Sequence, residues 1–109
     1  MAVAQDALFQ LGDRRFTWDP AKSRSNAQRH GITFEEAATT WLYLDTIERF
    51  DEEHSENEGR WLRIGQSLRG ALLVTWSTIR LRDGEEVIRL ICSRRAVVSE
   101  RKLYEEEIR

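Results

Sequence analysis

The chain has 109 residues, of which 40% are hydrophobic and 33% are charged, and its formal net charge is −2. This length and composition indicate one small globular domain and exclude a disordered chain. A single cysteine excludes an internal disulfide and gives no metal-binding pattern, so we expect no metal and no other cofactor. The longest apolar run, Ala71–Val74, is far shorter than a membrane span, and residues 1–15 lack the features of a secretory signal. We therefore expect a cytoplasmic protein without a membrane partner.

The beginning of the chain carries the weakest signals. Residues 1–13 show only weak helical periodicity, and we interpret them as a loosely attached N-terminal extension or a short helix. The domain itself is assigned to residues 14–109. Its first element is predicted at Arg14–Trp18, where the pattern is typical of a short strand.

Two helices are predicted after this strand. Asp19 is a favourable N-cap and Pro20 suits the first helical position, so a helix should run from there to about His30. The segment Thr33–Glu36 has the capping-box pattern, in which Thr33 and Glu36 hydrogen-bond each other's backbone. A second helix should therefore begin there and end between residues 42 and 44.

The remaining chain is predicted to form strands and a closing helix. The predicted strands are Thr46–Phe50, Gly59–Gln66, Ala71–Arg80 and Glu86–Ser93. A tight hairpin is expected at Asp83-Gly84, and a short helix over Ser99–Glu107 should be capped by Ser99. The predicted fold class is α+β, with two N-terminal helices packed on one face of an antiparallel four- to five-stranded sheet and a short C-terminal helix.

The most polar stretch of the chain is Phe50–Gly65, FDEEHSENEGRWLRIG, which holds His54, Arg60 and several carboxylates. It lies between helix signals and strand signals. A polar loop at such a junction is either a solvated connection or the rim of an active site. Composition alone does not decide between these two interpretations.

A second candidate region is the sheet face that the two helices do not cover. Because neighbouring residues of a strand point to opposite faces, Arg89 should point away from the helices if Ile88 and Leu90 point toward them. The basic residues of these strands are Arg80, Arg89, Arg94 and Arg95. They converge on one groove suited to phosphate, or they form a solvated and partly salt-bridged face.

From Phe16 onward the chain resembles the BrnT family, ribonuclease toxins of type II toxin–antitoxin systems that are related to the RelE fold. The motifs that carry the resemblance are WDPAKSRSN at Trp18–Asn26, RHGITFEEA at Arg29–Ala37, DEEHSENEGRWLRIGQS at Asp51–Ser67, GALLVTW at Gly70–Trp76, TIR at Thr78–Arg80, RLICSRRA at Arg89–Ala96 and SERKLYEE at Ser99–Glu106. Residues 1–13 have no counterpart in the family's usual short start. A carboxylate is usual at the position of Ile79, and Cys92 lies where the family commonly has serine.

The resemblance implies an enzyme that cleaves cellular RNA without a metal and arrests growth until an antitoxin binds. Such cleavage needs a base for the ribose 2′-hydroxyl, cations for the developing phosphorane charge and an acid for the departing 5′-oxygen. We expect His54 to be the principal acid–base residue, oriented by Glu58, and Arg60, Arg80 and Arg94 to bind the phosphate. Alternatively, His54 is a loop residue that hydrogen-bonds neighbouring carboxylates.

Further RNA-binding residues are expected on the first helix and the last strand. Lys22, Asn26 and His30 recur at helical spacing on one helix face, and Arg89 and Arg95 belong to the strand. His30 is alternatively the cation that favours a helix C-terminus, and Lys22 and Asn26 alternatively belong to a solvated face.

The resemblance also implies a partner and leaves two other functional classes open. The expected partner is a BrnA-like ribbon-helix-helix antitoxin in a heterotetramer, with operator DNA contacted only through the antitoxin. The chain could instead be a catalytically weakened toxin-like module that binds an antitoxin and contributes to operator autoregulation, as the departures at Ile79 and Cys92 suggest. A DNA-binding regulator is disfavoured because the helix predicted from residue 33 carries Glu35 and Glu36.

Overall fold

The structure is a computed structural model that describes residues 5–55 and 58–108. Within these residues the fold is α+β, with a six-stranded mixed sheet and three helices. Its elements in chain order are β1 (Ala7–Leu11), β2 (Arg14–Trp18), α1 (Pro20–His30), α2 (Phe34–Ala38), β3 (Thr46–Asp51), β4 (Arg60–Gln66), β5 (Leu72–Arg82), β6 (Glu85–Arg95) and α3 (Val98–Ile108). The strand order is β1-β2-β6-β5-β4-β3. None of the described helices is long and apolar enough to cross a membrane.

The predicted fold class is wrong in the number of strands, the type of sheet and the position of the helices. The chain begins its fold with two strands, and α1 follows them. β2 pairs with β6 in parallel, with Phe16 beside Ile88, so the sheet is mixed rather than antiparallel. Local periodicity does not reveal this pairing, because it joins residues that are far apart in the chain.

Strand β1 replaces the loose extension or short helix that the sequence suggested. It pairs antiparallel with β2 along its whole length, and Ala7, Phe9 and Leu11 pack against the core on alternate positions. The ring centroid of Phe9 lies 5.8 Å from that of Trp18. Burial on one side thus overrides a weak helical pattern. The assignment of the domain to residues 14–109 stays a prediction.

The prediction for α1 is confirmed at both ends. The Asp19 carboxylate accepts a hydrogen bond from the Ala21 amide at 2.8 Å, and Pro20 occupies the first turn. Gly31 ends the helix in the left-handed conformation with φ of 71°, and its amide donates to the Ala27 carbonyl. α1 is therefore defined by its local sequence.

Helix α2 keeps only half of its predicted capping box. Thr33 accepts from the Glu36 amide at 3.1 Å, as expected. The Glu36 carboxylate does not reach back, and it accepts from the Ser67 hydroxyl at 2.8 Å instead. This contact ties α2 to the turn after β4. The helix ends at Ala38 and continues as a 3₁₀ turn over Thr39–Leu42.

The predictions for the last two strands and the last helix are correct in type and differ from the structure only at the ends of the elements. The β5–β6 hairpin turns at Asp83 and Gly84 with φ of 53° and 80°, as the Asp-Gly pair predicts. α3 begins at Val98 rather than after Ser99, so Ser99 lies inside the helix. The Glu100 carboxylate accepts from the amide of Val97 at 2.8 Å and takes over the capping role.

The helices cover both faces of the sheet, whereas the prediction placed two of them on one face. The first face faces α2, and its core includes Phe16, Ile32, Phe34, Leu73 and Leu90. The second face faces α3, and its core includes Ile47, Ile64, Leu72 and Val74 with Tyr104 and Ile108 of the helix. Consecutive residues Leu72 and Leu73 thus belong to different cores, as the pleat of a strand requires.

Candidate functional site

Beyond the part that α3 covers, the second face of the sheet is open and forms a groove of about 430 Å³. We call it the basic groove. Its walls come from α1, from the connection between β3 and β4, and from β4, β5 and β6. The lining residues are Lys22, Glu53, His54, Glu58, Arg60, Thr78, Arg80, Arg89 and Ile91. Four of these side chains carry a positive charge.

Strand alternation explains why the basic residues share this groove. Thr78 lies opposite Arg89 in the β5–β6 register, and Arg80 lies two residues further along the same strand face. Ile88 and Leu90 belong to the core of the first face, so Arg89 points away from it. The sequence-based prediction for the orientation of Arg89 is therefore confirmed.

His54 enters the groove from a 3₁₀ turn, Glu52–His54, directly after β3. Its imidazole Nδ1 lies 2.8 Å from the Asp51 carboxylate, and 61% of its side chain is exposed. The Trp76 indole donates to the same carboxylate at 3.2 Å. Since the carboxylate accepts from Nδ1–H, Nε2 is the nitrogen that is left to exchange a proton.

The Asp51 carboxyl is held in its ionised form. Desolvation opposes ionisation, but the hydrogen bonds and charge of His54, together with the Trp76 hydrogen bond, outweigh it and lower the pKa of Asp51. The residue that orients His54 is therefore Asp51. Glu58, which the sequence suggested for this role, has another partner.

Glu58 binds Arg80 through both of its oxygens. The Arg80 Nε and Nη2 atoms donate to the carboxylate at 2.9 and 3.1 Å. The hydrogen bond from Arg80 lowers the pKa of Glu58, and the same bond raises the pKa of Arg80. Both side chains are well exposed, and such pairs contribute only about 0–1 kcal/mol. A phosphate group can therefore replace the carboxylate at little cost.

Arg60 and Lys22 supply the groove with charges that have no counter-ion among the described residues. Arg60 lies opposite Asp51 in the β3–β4 register, and its backbone amide donates to the Ser55 hydroxyl at 2.9 Å. Within residues 5–55 and 58–108, no carboxylate lies within ion-pair distance of the Arg60 guanidinium or the Lys22 ammonium. These two cations are the ones most available to an anionic ligand.

Arg89 is a largely enclosed cation of the groove, with 18% of its side chain exposed. Its guanidinium donates to the Asp6 carboxylate at 2.5 Å. Asp6 directly precedes β1 in sequence, so the N-terminal segment supplies a counter-ion to the groove. No such contact was expected from the sequence.

A smaller cavity of about 330 Å³ lies beside the basic groove and shares His54 and Arg60 with it. Its other lining residues are His30, Trp76, Cys92, Ser93 and Arg94. Arg94 donates to both oxygens of Glu100 at 2.7 and 2.8 Å, and this bond raises the pKa of Arg94. The structure thus places Arg94 in the neighbouring cavity and not among the residues that line the basic groove.

Two further residues predicted to bind RNA lie elsewhere. Asn26 is buried, and its side-chain amide donates to the carbonyls of Ile32 and Ser93 at 2.9 Å and accepts from the Ser93 amide at 3.0 Å. These bonds fasten α1 to β6 and occupy the polar atoms of the side chain. Arg95 is exposed at the end of β6 and lines neither cavity.

A family model described as the ribonuclease toxin BrnT of type II toxin–antitoxin systems matches residues 18–100. The match covers more than half of the chain. The chain belongs to the BrnT family. Membership of this family identifies the chain as a ribonuclease toxin whose partner is a protein antitoxin. No curated protein matches the chain.

The BrnT match includes all lining residues of the basic groove, from Lys22 to Ile91. It begins at Trp18, after β1 and the first residues of β2. The contact between Asp6 and Arg89 therefore joins a residue outside the matched segment to one inside it. This agrees with the absence of a family counterpart for residues 1–13.

Sequence reasoning missed three residues of this BrnT site. Asp51 was treated as one of several loop carboxylates, although it precedes His54 by the three residues that one 3₁₀ turn brings together. Trp76 and Thr78 were interpreted only as parts of an apolar strand. A β-bulge at Trp76 and Ser77 adds one residue to β6, and no local signal predicts its position.

The two positions at which this BrnT chain departs from the family pattern have different surroundings. Ile79 lines a cavity on the first face with Ser77 and Ile88, so it points away from the basic groove. Cys92 lies on β6, lines the smaller cavity and is half-buried. Burial raises the pKa of its thiol, although nearby guanidiniums partly oppose this.

Proposed function

We propose that this BrnT toxin is a metal-independent endoribonuclease that cleaves RNA through the ribose 2′-hydroxyl and thereby arrests growth. The observation that supports it most is that His54 and four cationic side chains line one groove. Cationic side chains bind the RNA backbone, and an imidazole transfers protons near neutral pH. The groove combines both requirements.

In the proposed reaction, Nε2 of His54 takes the proton of the 2′-hydroxyl as the 2′-oxygen attacks the adjacent phosphorus. The bond between phosphorus and the 5′-oxygen breaks, and the 5′-oxygen takes up a proton from solvent water and leaves as a hydroxyl group. The products are a 2′,3′-cyclic phosphate and a 5′-hydroxyl. Asp51 holds the imidazole at 2.8 Å and stabilises the imidazolium that forms.

The cations take the role of neutralising the phosphorane. Arg60 and Lys22 have no described counter-ion, and Arg80 can exchange the Glu58 carboxylate for a phosphate oxygen. The guanidinium of an arginine stabilises charge but does not give up its proton readily, so these residues bind rather than transfer protons. Glu58 is accordingly proposed to hold Arg80 in place and not to act as a base.

The position of Ile79 supports an active toxin over a weakened module. Its side chain lines a cavity on the first face, away from His54 and Arg80. The loss of a carboxylate at this position therefore removes no group from the basic groove.

We further propose that the antitoxin is a ribbon-helix-helix protein, that the complex is a heterotetramer and that operator DNA is contacted through the antitoxin. The chain's net charge of −2 supports a toxin that does not bind duplex DNA on its own. Light scattering of the purified complex and a gel shift with each component would test this. Operator binding by the isolated toxin would contradict it.

The proposed activity is tested with purified toxin that has been separated from its antitoxin. In the presence of EDTA, we expect it to cleave single-stranded RNA and to leave the same RNA intact when every 2′-hydroxyl is methylated. Addition of the antitoxin should stop cleavage, and expression of the toxin alone should arrest growth. Cleavage that requires an added divalent metal would contradict the proposal.

A further inference from the structure

The proposed cleavage reaction assigns no role to the cavity that lies beside the basic groove. We call it the base pocket; it measures about 330 Å³ and is lined by Trp76, Cys92, Arg94 and His30 besides the shared residues His54 and Arg60. Small-molecule sites span about 300–1,000 Å³, so it lies at the small end of that range. We propose that the base pocket binds the nucleobase adjacent to the scissile phosphate and selects guanine, an inference that rests on the proposed function.

The connection between the two cavities supports this assignment. His54 and Arg60 line both of them, so the base pocket opens at the residues that are proposed to act on the phosphate. A nucleotide with its phosphate at Arg60 has its base within reach of the pocket. The base on the other side of that phosphate has the wider basic groove available.

Trp76 and Arg94 give the pocket a preformed stacking surface. The Arg94 guanidinium lies 5.2 Å from the centroid of the Trp76 ring, and Glu100 fixes it with two hydrogen bonds. Aromatic rings and guanidinium planes are the surfaces on which proteins stack unpaired bases. Because both groups are already held in place, a base loses little binding energy to their ordering.

The polar groups on the pocket wall favour a base edge with two acceptors. The polar groups of Ser93 are already bonded and do not recognise a base, since its amide and carbonyl bond Asn26 and its hydroxyl bonds Thr75. Arg94 contributes through its plane, because its Nη atoms already donate to Glu100 and to the Arg95 carbonyl. The Arg60 guanidinium, which can only donate, is the group available to the edge of the stacked base. Guanine presents N7 and O6 as adjacent acceptors, and arginine pairs with this edge more often than with other base edges.

The pocket is also linked to the proposed catalytic histidine. The Trp76 indole donates to Asp51 at 3.2 Å, and Asp51 in turn bonds His54. A base that stacks on Trp76 thus contacts the side chain that hydrogen-bonds Asp51, the carboxylate that orients His54. Base recognition and positioning of His54 share one side chain.

The test measures binding with a substrate analogue that cannot be cleaved. The probes are 2′-O-methyl pentamers in which every base is absent, or in which only the central position carries guanine, adenine, cytosine or uracil. For the wild-type toxin, we expect the central guanine to increase affinity roughly 5- to 150-fold over the fully abasic pentamer, the range for stacking of one base. The other three bases should give smaller increases.

Three variants locate the effect. Trp76→Ala removes the stacking surface, and Cys92→Leu fills the pocket from its wall while it keeps Trp76; both should abolish the gain from guanine. Cys92→Leu also serves where Trp76→Ala does not fold. Trp61→Ala is the matched control, because Trp61 lies on the first face against Phe50, and it should retain the gain.

Three results would overturn the base pocket. They are equal binding of all pentamers, no binding of any pentamer, and an increase in affinity from guanine that persists in both pocket variants. Failure of the proposed function has a different signature. A toxin that binds the guanine pentamer but leaves ordinary RNA uncleaved contradicts the ribonuclease mechanism and supports the pocket. A toxin that cleaves RNA but does not discriminate between the pentamers contradicts the pocket alone.

Discussion

Two carboxylates at the basic groove have different partners and therefore different roles. Asp51 bonds His54 and Trp76, whereas Glu58 accepts from the Nε and Nη2 atoms of Arg80. Asp51 thus positions the proposed acid–base residue, and Glu58 neutralises a cation that RNA would otherwise find free. Their similar chemistry does not distinguish them in the sequence, and only the spacing of three residues between Asp51 and His54 indicates which one bonds the histidine.

The assignment of Glu58 as a partner of Arg80 predicts a mild effect of its neutralisation. We expect Glu58→Gln to keep RNA cleavage within about 5-fold of the wild type, because an exposed ion pair contributes little and its loss frees Arg80 for phosphate. Rates are measured at saturating RNA and at several salt concentrations. A loss of about 100-fold or more in the rate at saturation would make Glu58 a proton-transfer residue and contradict this account.

Removal of the His54 imidazole should have a large effect on activity and a small one on stability. We expect His54→Ala to slow cleavage by about 10²–10⁴-fold, the usual contribution of a general acid or base. The melting temperature should change little, because most of the side chain is exposed. Glu52→Ala, on the same turn, is the matched control and should cleave at the wild-type rate. Full activity of His54→Ala would exclude it as the acid–base residue.

Among the helices and strands, the sequence predicted the ends and turns that depend on neighbouring residues. The N-cap at Asp19, the left-handed Gly31 and the Asp83-Gly84 turn were all predicted, since each depends on residues a few positions apart. The pairing of β2 with β6 and the contact of Asp6 with Arg89 were not predicted. Both join distant segments, and only packing of the whole sheet brings them together.

The site shows the same division. The sequence led to His54, Arg60, Arg80 and Arg89 in one groove, because they belong to a polar loop and to alternating strand positions. It also proposed Asn26 for RNA binding, whereas the structure uses its amide between α1 and β6. An asparagine at helical spacing looks the same in either role, and only its burial separates them.

The ion pair between Arg94 and Glu100 is one of the contacts that attach α3 to the sheet, and it predicts a pH dependence of stability. The hydrogen bond from Arg94 lowers the pKa of Glu100 in the folded state below its ordinary value of 4.5. The pair therefore contributes stability above pH 4.5, and this contribution is lost as the pH falls through the folded pKa.

The variant Glu100→Gln should lack this part of the pH dependence. At pH 7 we expect it to lower the free energy of unfolding by about 1–2 kcal/mol, as for a partly buried charged hydrogen bond, and the difference from the wild type should shrink toward pH 3. Urea unfolding at several pH values measures both quantities. A difference that is the same at pH 3 and pH 7 would show that Glu100 acts through packing and not through its charge.

In the whole molecule, the hydrophobic cores and the candidate functional site occupy different parts of the sheet. One core lies on the first face and the other at the α3 end of the second face, and the remaining part of the second face carries the basic groove and the base pocket. The protein is slightly acidic overall, so its attraction for RNA has to come from this local concentration of cations. The distribution of charge, and not the net charge, is what the account relies on.

This distribution predicts a definite salt dependence of RNA binding. If each of the four groove cations neutralises one phosphate, the logarithm of the binding constant for methylated single-stranded RNA should fall against the logarithm of salt with a slope of about −3. Arg60→Ala should reduce the magnitude of the slope by about 0.7, and Arg101→Ala, on exposed α3, should leave it unchanged. A slope near zero for the wild type would contradict RNA binding in the groove.

If the groove cleaves RNA by activating the 2′-hydroxyl, the ends of the products carry the signature of that reaction, and mass spectrometry identifies those ends. A short RNA of defined sequence is incubated with the antitoxin-free toxin in EDTA, beside the His54→Ala variant. We expect fragments that end in a 2′,3′-cyclic phosphate and begin with a 5′-hydroxyl from the wild type, and only traces of them from the variant. Fragments that begin with a 5′-phosphate, which arise when water attacks the phosphorus and the 3′-oxygen leaves, would contradict this mechanism.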